Sequence, residues 1–533
     1  MDQRANAPLS QTVTRTGETR TGDVIPPISS WSSPSQSSGS RPQGWSPIRF
    51  PVNPLARRHW LFAAGGLAAA TAIGTQLLPM SSPQAAPAAP VDPPAGVRGD
   101  GQADDWAALQ EALRHGSVQL PAGTYRISRT LEIDLTRLGP RSIRGDAATR
   151  IVMAGAGPAI LVRGTHGGTA DPKTVTPTVA NRERFACLEG FEIVGDHPEA
   201  DGVALIGAMQ PTLARLLIRS VRHAIRLAER NRNVLIAHCH LYDNRGIGIW
   251  YDQVNLHQSN IDACHISYCR EGGIVIRGGD VRNVQVSGCD IEGNMSPETP
   301  PTANILIDCG AGSVAEVAIA GCTIQHDGKS PDSANIRFLG RATLTRGGQP
   351  VSFQCGHLTI ANNVCSDVRY NLDLQGVRGA AITGNTLWQG YDANMRLVDC
   401  DHVVVSGNVL ERNPLYGYTA EASNRVLIRD CRDLTIQGLH LHNVRDADAG
   451  LSLANTDRVH LLGCTILDCD NAGIELRDTR RTVVSHCVVR DDRAAATDAP
   501  PRPPSVAIRQ HGENRELRLE GNVLQDGTAP KAP

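Results

Sequence analysis

A short pattern recurs along this chain at a spacing too regular for chance. It reads apolar-x-apolar-x-Gly-(Cys/Asn)-x-apolar, as in Val286-Ser287-Gly288-Cys289-Asp290-Ile291, Ile319-Ala320-Gly321-Cys322-Thr323-Ile324 and Ile382-Thr383-Gly384-Asn385-Thr386-Leu387. Between its copies falls a second element, Gly/Asn-apolar-x-apolar, as in Gly273-Ile274-Val275-Ile276, Asn304-Ile305-Leu306-Ile307 and Asn371-Leu372-Asp373-Leu374. Cys239, Cys264 and Cys289 are spaced by 25 residues, Asn363 and Asn385 by 22, and Cys464 and Cys487 by 23. Each period holds short alternating runs broken by Gly, Asn or Asp, with no helical periodicity. Such a unit cannot bury its apolar face alone, so the units must stack. A parallel β-helix satisfies this, with Ile, Val, Leu and Cys turned inward and the residues between them outward. About fourteen coils are expected between Gly116 and Leu524, a rod of roughly 65 Å. Insertions interrupt the period near Pro172, Pro297, Arg346 and Pro500. A propeller would need blades of about 40 residues and a leucine-rich repeat its leucine-asparagine consensus, and neither is present.

The N-terminal part is different in kind. Residues 1–56 are rich in Ser, Pro, Thr, Gly and Arg and are expected to be a disordered leader. Arg57-Arg58-His59-Trp60-Leu61 then precedes an uncharged run from Phe62 to Met80, the layout of an export signal, with paired arginines of the twin-arginine type. Ala86-Pro87-Ala88 supplies small residues for cleavage, which makes 57–88 the signal segment and 89–96 a linker. An uncleaved membrane anchor is the alternative for the same run. The rod with its cap is expected over 97–525 and a disordered tail over 526–533. The partner implied is the twin-arginine export machinery, and the destination the periplasm or the exterior.

Ahead of the coils, Asp104 to Leu113 reads as a short amphipathic helix, followed by Leu120-Pro121-Ala122-Gly123-Thr124-Tyr125. A helix there would cover the open edge of the first coil. The helix, this segment and the stacked coils resemble the right-handed β-helix proteins of the pectin-lyase-like superfamily. With the paired-arginine leader, the chain resembles the twin-arginine-translocated repetitive proteins. The resemblance implies an all-β, single-stranded right-handed parallel β-helix and an export route. It implies no activity, because the paired-aspartate and Gly-His-Gly signatures of polygalacturonases and the Asp-Pro-His-Asp motif of alginate epimerases are absent.

Fourteen cysteines in an exported chain suggest disulfides. However, Cys239, Cys264, Cys289, Cys322, Cys464 and Cys487 fill one repeat position, which Asn363, Asn385, Asn408 and Asn522 fill elsewhere. Buried free thiols are expected, with asparagines hydrogen-bonding along the rod; one or two bridges between neighbouring coils are the alternative. No Cys-x-x-Cys occurs, so neither redox chemistry nor a zinc knuckle is indicated.

The formal charge is −2, and residues 89 onward carry −6, which speaks against nucleic acid as a partner. No later segment is apolar enough to span a membrane, and no cofactor is indicated. All but three of the 52 basic residues are Arg. On the Gly-Ile-x-Ile face an outward stripe is expected that includes Arg226, Trp250, Arg277, Arg337, Asp373 and Arg396. Arginine forks in such a row suit the carboxylates of an acidic polysaccharide. Mutual neutralisation, above all among Arg337, Asp373 and Arg396, is the plainer reading of the same row. A denser group surrounds coils four to six. There Asp243, Asp252 and Glu271 are the candidate acid/base residues, and Arg245, Trp250, Tyr251, Arg270 and Arg277 the candidate substrate contacts. One aromatic sealing a loop among ordinary surface charges is the alternative. His240, His265 and Asp290 should stack on adjacent rungs, a weak metal candidate because Asp290 lies about 10 Å from His240. Three functions stay open: an exported protein that binds or processes an acidic polysaccharide, as a lyase or hydrolase if catalytic; a non-catalytic cell-envelope scaffold; and a metal-dependent enzyme at the histidine ladder.

Overall fold

The computed structural model describes residues 92–168, 171–300, 302–411, 422–493 and 505–525, all within the unit Ala85–Pro533. The expected leader, the signal with Arg57 and Arg58, and the tail lie outside the described residues.

Alternating apolar residues make each coil a set of short parallel strands, and identical positions stack from rung to rung. One sheet contains sixteen parallel strands, among them His240–Tyr242, His265–Ser267, Asp290–Glu292 and Thr323–Gln325. At ~4.8 Å per rung they give an axis of roughly 70 Å. Fifteen of these strands follow Gly116, one more than the repeat suggests. The pattern undercounts because early coils such as Gly123–Ile127 and Thr149–Met153 lack the Gly-(Cys/Asn) marker. A further strand, Asp100–Asp104, precedes the helix. A second sheet of twenty-five strands wraps two faces, because strands such as Ile249–Asp262 and Ile274–Ser287 bend through the corner without breaking their pairing.

The core is the inward column of each face. Ile225, Ile249, Ile274, Ile305, Ile336 and Leu372 pair in register and are fully buried. Truncating one to Ala would cost about 2–5 kcal/mol. All fourteen cysteines are unbridged and thirteen are buried. Each repeat-position thiol points at the carbonyl two residues back, as Cys264 does to Asp262 at 3.3 Å, while the backbone N–H of Cys239 donates to Cys264 Sγ at 3.5 Å. Where asparagine takes the position, the amide does more. Asn363 Nδ2 donates to Asn385 Oδ1 at 3.0 Å, and Asn385 Nδ2 to Asn408 Oδ1 at 2.9 Å. A second amide ladder runs from Asn294 through the Asn of the second repeat element, Asn304, Asn335, Asn371 and Asn394, with links of 2.7–2.9 Å.

The expected helix occupies Trp106–His115, two residues later than the pattern suggests, and turns Leu109 and Leu113 into the end of the core. It starts late because Asp104 still belongs to a strand, and its carboxylate accepts the N–H of Trp106 at 3.1 Å. The insertion near Arg346 is an antiparallel hairpin, Arg341–Arg346 with Gln349–Gln354, turning through Gly347 and Gly348 at positive φ.

Candidate functional site

On the face that follows the Gly-Ile-x-Ile element, two columns point outward. The first runs Arg226, Trp250, Val275, Leu306, Arg337, Asp373, Arg396; the second runs Ala228, Asp252, Arg277, Asp308. Strand alternation fixes this: Leu227, Tyr251 and Ile276 are the residues between, so all three point inward.

Tyr251 is therefore not a ligand contact. It is fully buried inside the rod, with its hydroxyl against Ser259 Oγ at 2.7 Å and its ionisation pushed well up by burial. Trp250 does point outward but is half-buried, against an outer apolar cluster of Ile247, Val275, Ala303, Leu306 and Ala334. Nothing in the repeat points to this cluster, because Val275 and Leu306 occupy positions expected to face water. Tyr370 packs against it as well, and the insertion after Ser296 is tied to the preceding coil by Thr299 and Thr302, which donate to the carbonyls of Arg270 and Glu271 at 2.9 and 3.1 Å.

Beside Trp250 the structure brings His223, which carries no motif, together with Arg226 of the outward stripe. The His223 ring lies 4.6 Å from the indole and the Arg226 guanidinium 5.2 Å from it. Arg226 also donates to Asp252 at 2.9 and 2.5 Å. His223 Nδ1 accepts the backbone N–H of Ile247 at 3.1 Å, so the ring is neutral and its proton sits on Nε2. Burial holds its pKa down to about 4; Asp201 opposes the shift, and Arg222 and Arg226 add to it. Gly246 makes room for the ring, since a Cβ there would lie 2.7 Å from it. Buried Asp201 is gripped bidentately by Arg222 at 2.9 and 2.8 Å and accepts the N–H of His223 at 3.1 Å.

The remaining sequence candidates separate. Asp243 is exposed in a left-handed turn (φ 52°), on a different corner from Asp252. Glu271 is exposed, and no described hydrogen bond or ion pair joins Asp243 or Glu271 to Asp252. Arg245 donates to the carbonyls of Ser220, His197 and Pro198 at 2.7–3.0 Å, which makes it a staple between coils. Arg270 and Arg277 are exposed, and their side chains make no described hydrogen bond or ion pair. Farther along the same face Asp373 is fully buried between Arg337 at 2.6 Å and Arg396 at 2.8 Å, so the neutralising ladder forms there.

His240, His265 and Asp290 do stack in register, with the two rings edge-on at 4.9 Å. Burial, then Glu292, raises the Asp290 carboxyl, with His265 opposing. Among the described residues no three His, Cys, Asp or Glu side chains converge to hold a metal ion.

Residues 178–324 match the family described as right handed beta helix region. The chain is a right-handed parallel β-helix. Residues 339–497 of this β-helix match a second family, described as periplasmic copper-binding protein (NosD). Copper would need soft donors gathered at one point, whereas the thiols of Cys400, Cys431, Cys464, Cys469 and Cys487 in that stretch are directed at backbone carbonyls and, among the described residues, no three His, Cys, Asp or Glu side chains converge, so the side chains do not fit such a site. No curated protein matches the chain. Among solved structures, tailspike protein 3 of bacteriophage CBA120 is 12% identical, with a TM-score of 0.39, covering 82% of this chain and 61% of its own. The A-module of Azotobacter vinelandii mannuronan C-5 epimerase AlgE4 is 13% identical (TM-score 0.31; 81% of this chain, 96% of that one). The Streptococcus pneumoniae surface adhesin PfbA is 12% identical (TM-score 0.32; 79% and 89%). The chain thus spans about three fifths of the length of the tailspike. Among the described residues no helix is long and apolar enough to cross a membrane.

Proposed function

We propose that this β-helix is exported through the twin-arginine route and binds an acidic polysaccharide along the outer face around Trp250, with Arg270 and Arg277 receiving the sugar carboxylates. One observation carries the reading. On the two outward columns from Arg226 to Arg396, the other described arginines are engaged by carboxylates, and Arg277 is exposed and unengaged. An Arg fork free of internal partners is the group suited to planar, bidentate capture of a carboxylate. The periplasmic description of the second matched family supports the destination.

Binding is favoured over turnover by the state of Asp252, which already accepts both hydrogen bonds of Arg226 and is poorly placed to shuttle a proton. Asp243 and Glu271 are the free carboxylates of this stretch, so D243N and E271Q are the variants that test processing.

The experiment is a panel of pectate, alginate, glucuronan and neutral glucans against the full chain, read by affinity electrophoresis and by release of unsaturated or reducing ends. The expected result is salt-sensitive retention by at least one uronic polymer, weakened about tenfold or more in R270Q/R277Q. Product that disappears in D243N or E271Q would extend the function to a lyase or hydrolase. Equal behaviour toward uronic and neutral polymers would overturn the proposal.

A further inference from the structure

One corner beyond that face, the strand Ile225–Ala237 turns through Glu229 and Asn233, at φ 56° and 55°. Asn231 takes the inward position that Leu256 and Val281 hold on the next rungs, which directs Arg230 and Arg232 outward on either side of it. Outward arginines are ordinarily exposed, yet both of these are only 7% exposed. The preceding coils close over them. Gly164 and Gly207 (φ 62°) approach so tightly that a Cβ on Gly207 would lie 2.2 Å from the Gly164 carbonyl oxygen. Just beyond, His166 donates its N–H to the Gly207 carbonyl at 3.0 Å and is itself 2% exposed.

Arg230 uses one nitrogen, Nη1, on Asn255 Oδ1. Its Nε and Nη2 are buried and meet no acceptor in the protein, and neither does buried His166 Nε2. Nε and Nη2 form the edge with which Arg222 grips Asp201 and Arg396 grips Asp373 elsewhere in this molecule. Two nearby carboxylates are directed elsewhere: Asp280 pairs with Arg282 at 2.9 Å, and Glu183 accepts from the N–H and hydroxyl of Thr165. The Asp280 charge acts on Arg230, but a buried guanidinium edge with no hydrogen-bond acceptor is among the costliest arrangements a protein can hold.

We infer that Arg230 and His166 form a binding site for a small oxyanion, a carboxylate or a phosphate- or sulfate-type group, taken bidentately by Arg230 Nε and Nη2 and touched by His166 Nε2. Arg232 adds positive charge from the next outward position. Burial, together with Arg230 and Arg232, holds the His166 pKa down to about 4. The ring is thus neutral at pH 7, and Nε2 can present a hydrogen without adding a third like charge. The site shares no residue with the Trp250 face and stands independently of the polysaccharide proposal.

The test is thermal unfolding of the full chain in chloride buffer, titrated with sodium phosphate, sodium sulfate or sodium acetate at matched ionic strength. A rise in Tm that becomes linear in the logarithm of salt concentration above the dissociation constant is expected with at least one of them. In R230Q the concentration at which the rise sets in should increase about tenfold or more, the loss expected for a charge-assisted hydrogen bond. H166Q, which keeps the charge, should raise it less. A response to acetate assigns the site to carboxylate groups, and a response to phosphate or sulfate alone assigns it to a tetrahedral oxyanion. If R230Q does not fold, the wild-type titration and H166Q still decide the matter. The inference is overturned by three salts that act as chloride does, or by a response that persists unchanged in the variants that fold.

Discussion

Two groups on the same outward columns of this β-helix reach opposite ends. Arg337, Asp373 and Arg396 stand directly opposite one another in a single column, on three successive strands, and Asp373 is saturated and buried between the two guanidinium groups. At Arg226 the next place in that column belongs to Trp250, so Arg226 reaches diagonally to Asp252 in the neighbouring column, and Arg277, which stands between Asp252 and Asp308, makes no described hydrogen bond or ion pair with either. Replacing one carboxylate by an aromatic ring converts a closed charge ladder into an open one. The first is architecture; the second is a surface with something left to bind.

The sharpest way to break the comparison is to remove the carboxylate from each group. D373N leaves Arg337 buried beside a neutral amide, and the expected loss in urea unfolding is about 3–5 kcal/mol. D252N acts on a half-exposed pair and should cost no more than about 1 kcal/mol. Similar losses from the two variants would mean that the groups do not differ as described.

Acid should act on the same contrast. Burial alone would raise the Asp373 carboxyl, but Arg396 and Arg337 outweigh it and hold the pKa below the usual 3.8. With a depressed folded-state value, the stabilisation is full above the unfolded-state value and is lost as pH falls through the folded one. The stability gap between wild type and D373N should therefore hold from pH 7 to about pH 4 and narrow below it. Urea midpoints at three pH values would show this; a gap that narrows near pH 6 would place its origin elsewhere.

The ladder at Asp373 was legible in the sequence because one repeat unit separates each member from the next, so counting periods puts them in contact. The cysteine and asparagine stacks were legible for the same reason. Tyr251 was misplaced because a cluster of nearby residue names ignores alternation: Trp250 and Tyr251 are neighbours in sequence and lie on opposite sides of one strand. His223 was missed for a different reason. Its role depends on the absent side chain of Gly246 and on Ile247 N–H, contacts between adjacent turns that carry no motif. The outer cluster at Val275 and Leu306 escaped notice because alternation assigns those positions to the outside, where Trp250 and Tyr370 pack against them.

A smaller effect probes the open group from within. His223 lies against Trp250, and a protonated imidazole quenches indole fluorescence. The quench should titrate with a midpoint of about 4, well below an ordinary histidine, and should be absent in H223N. Because the folded-state value is depressed, protonation also removes stability as pH falls from the unfolded-state value near 6.5 toward the folded one. A midpoint near 6.5 would mean that the ring is neither buried nor held by Ile247.

The smallest expected change in stability is the most informative about function. Arg277 touches nothing that needs it, so R277Q should alter the unfolding midpoint by no more than about 0.5 kcal/mol. R396Q removes one of the two arginines from buried Asp373 and should cost several times that. Toward a uronic polymer the order should reverse, with retention weakened in R277Q and nearly unchanged in R396Q, whose fork was never free. A residue kept for folding loses stability when replaced, and one kept for a ligand loses affinity. If R277Q changed neither, the exposed fork at this rung would be an ordinary surface charge, and the open group would differ from the closed one in geometry alone.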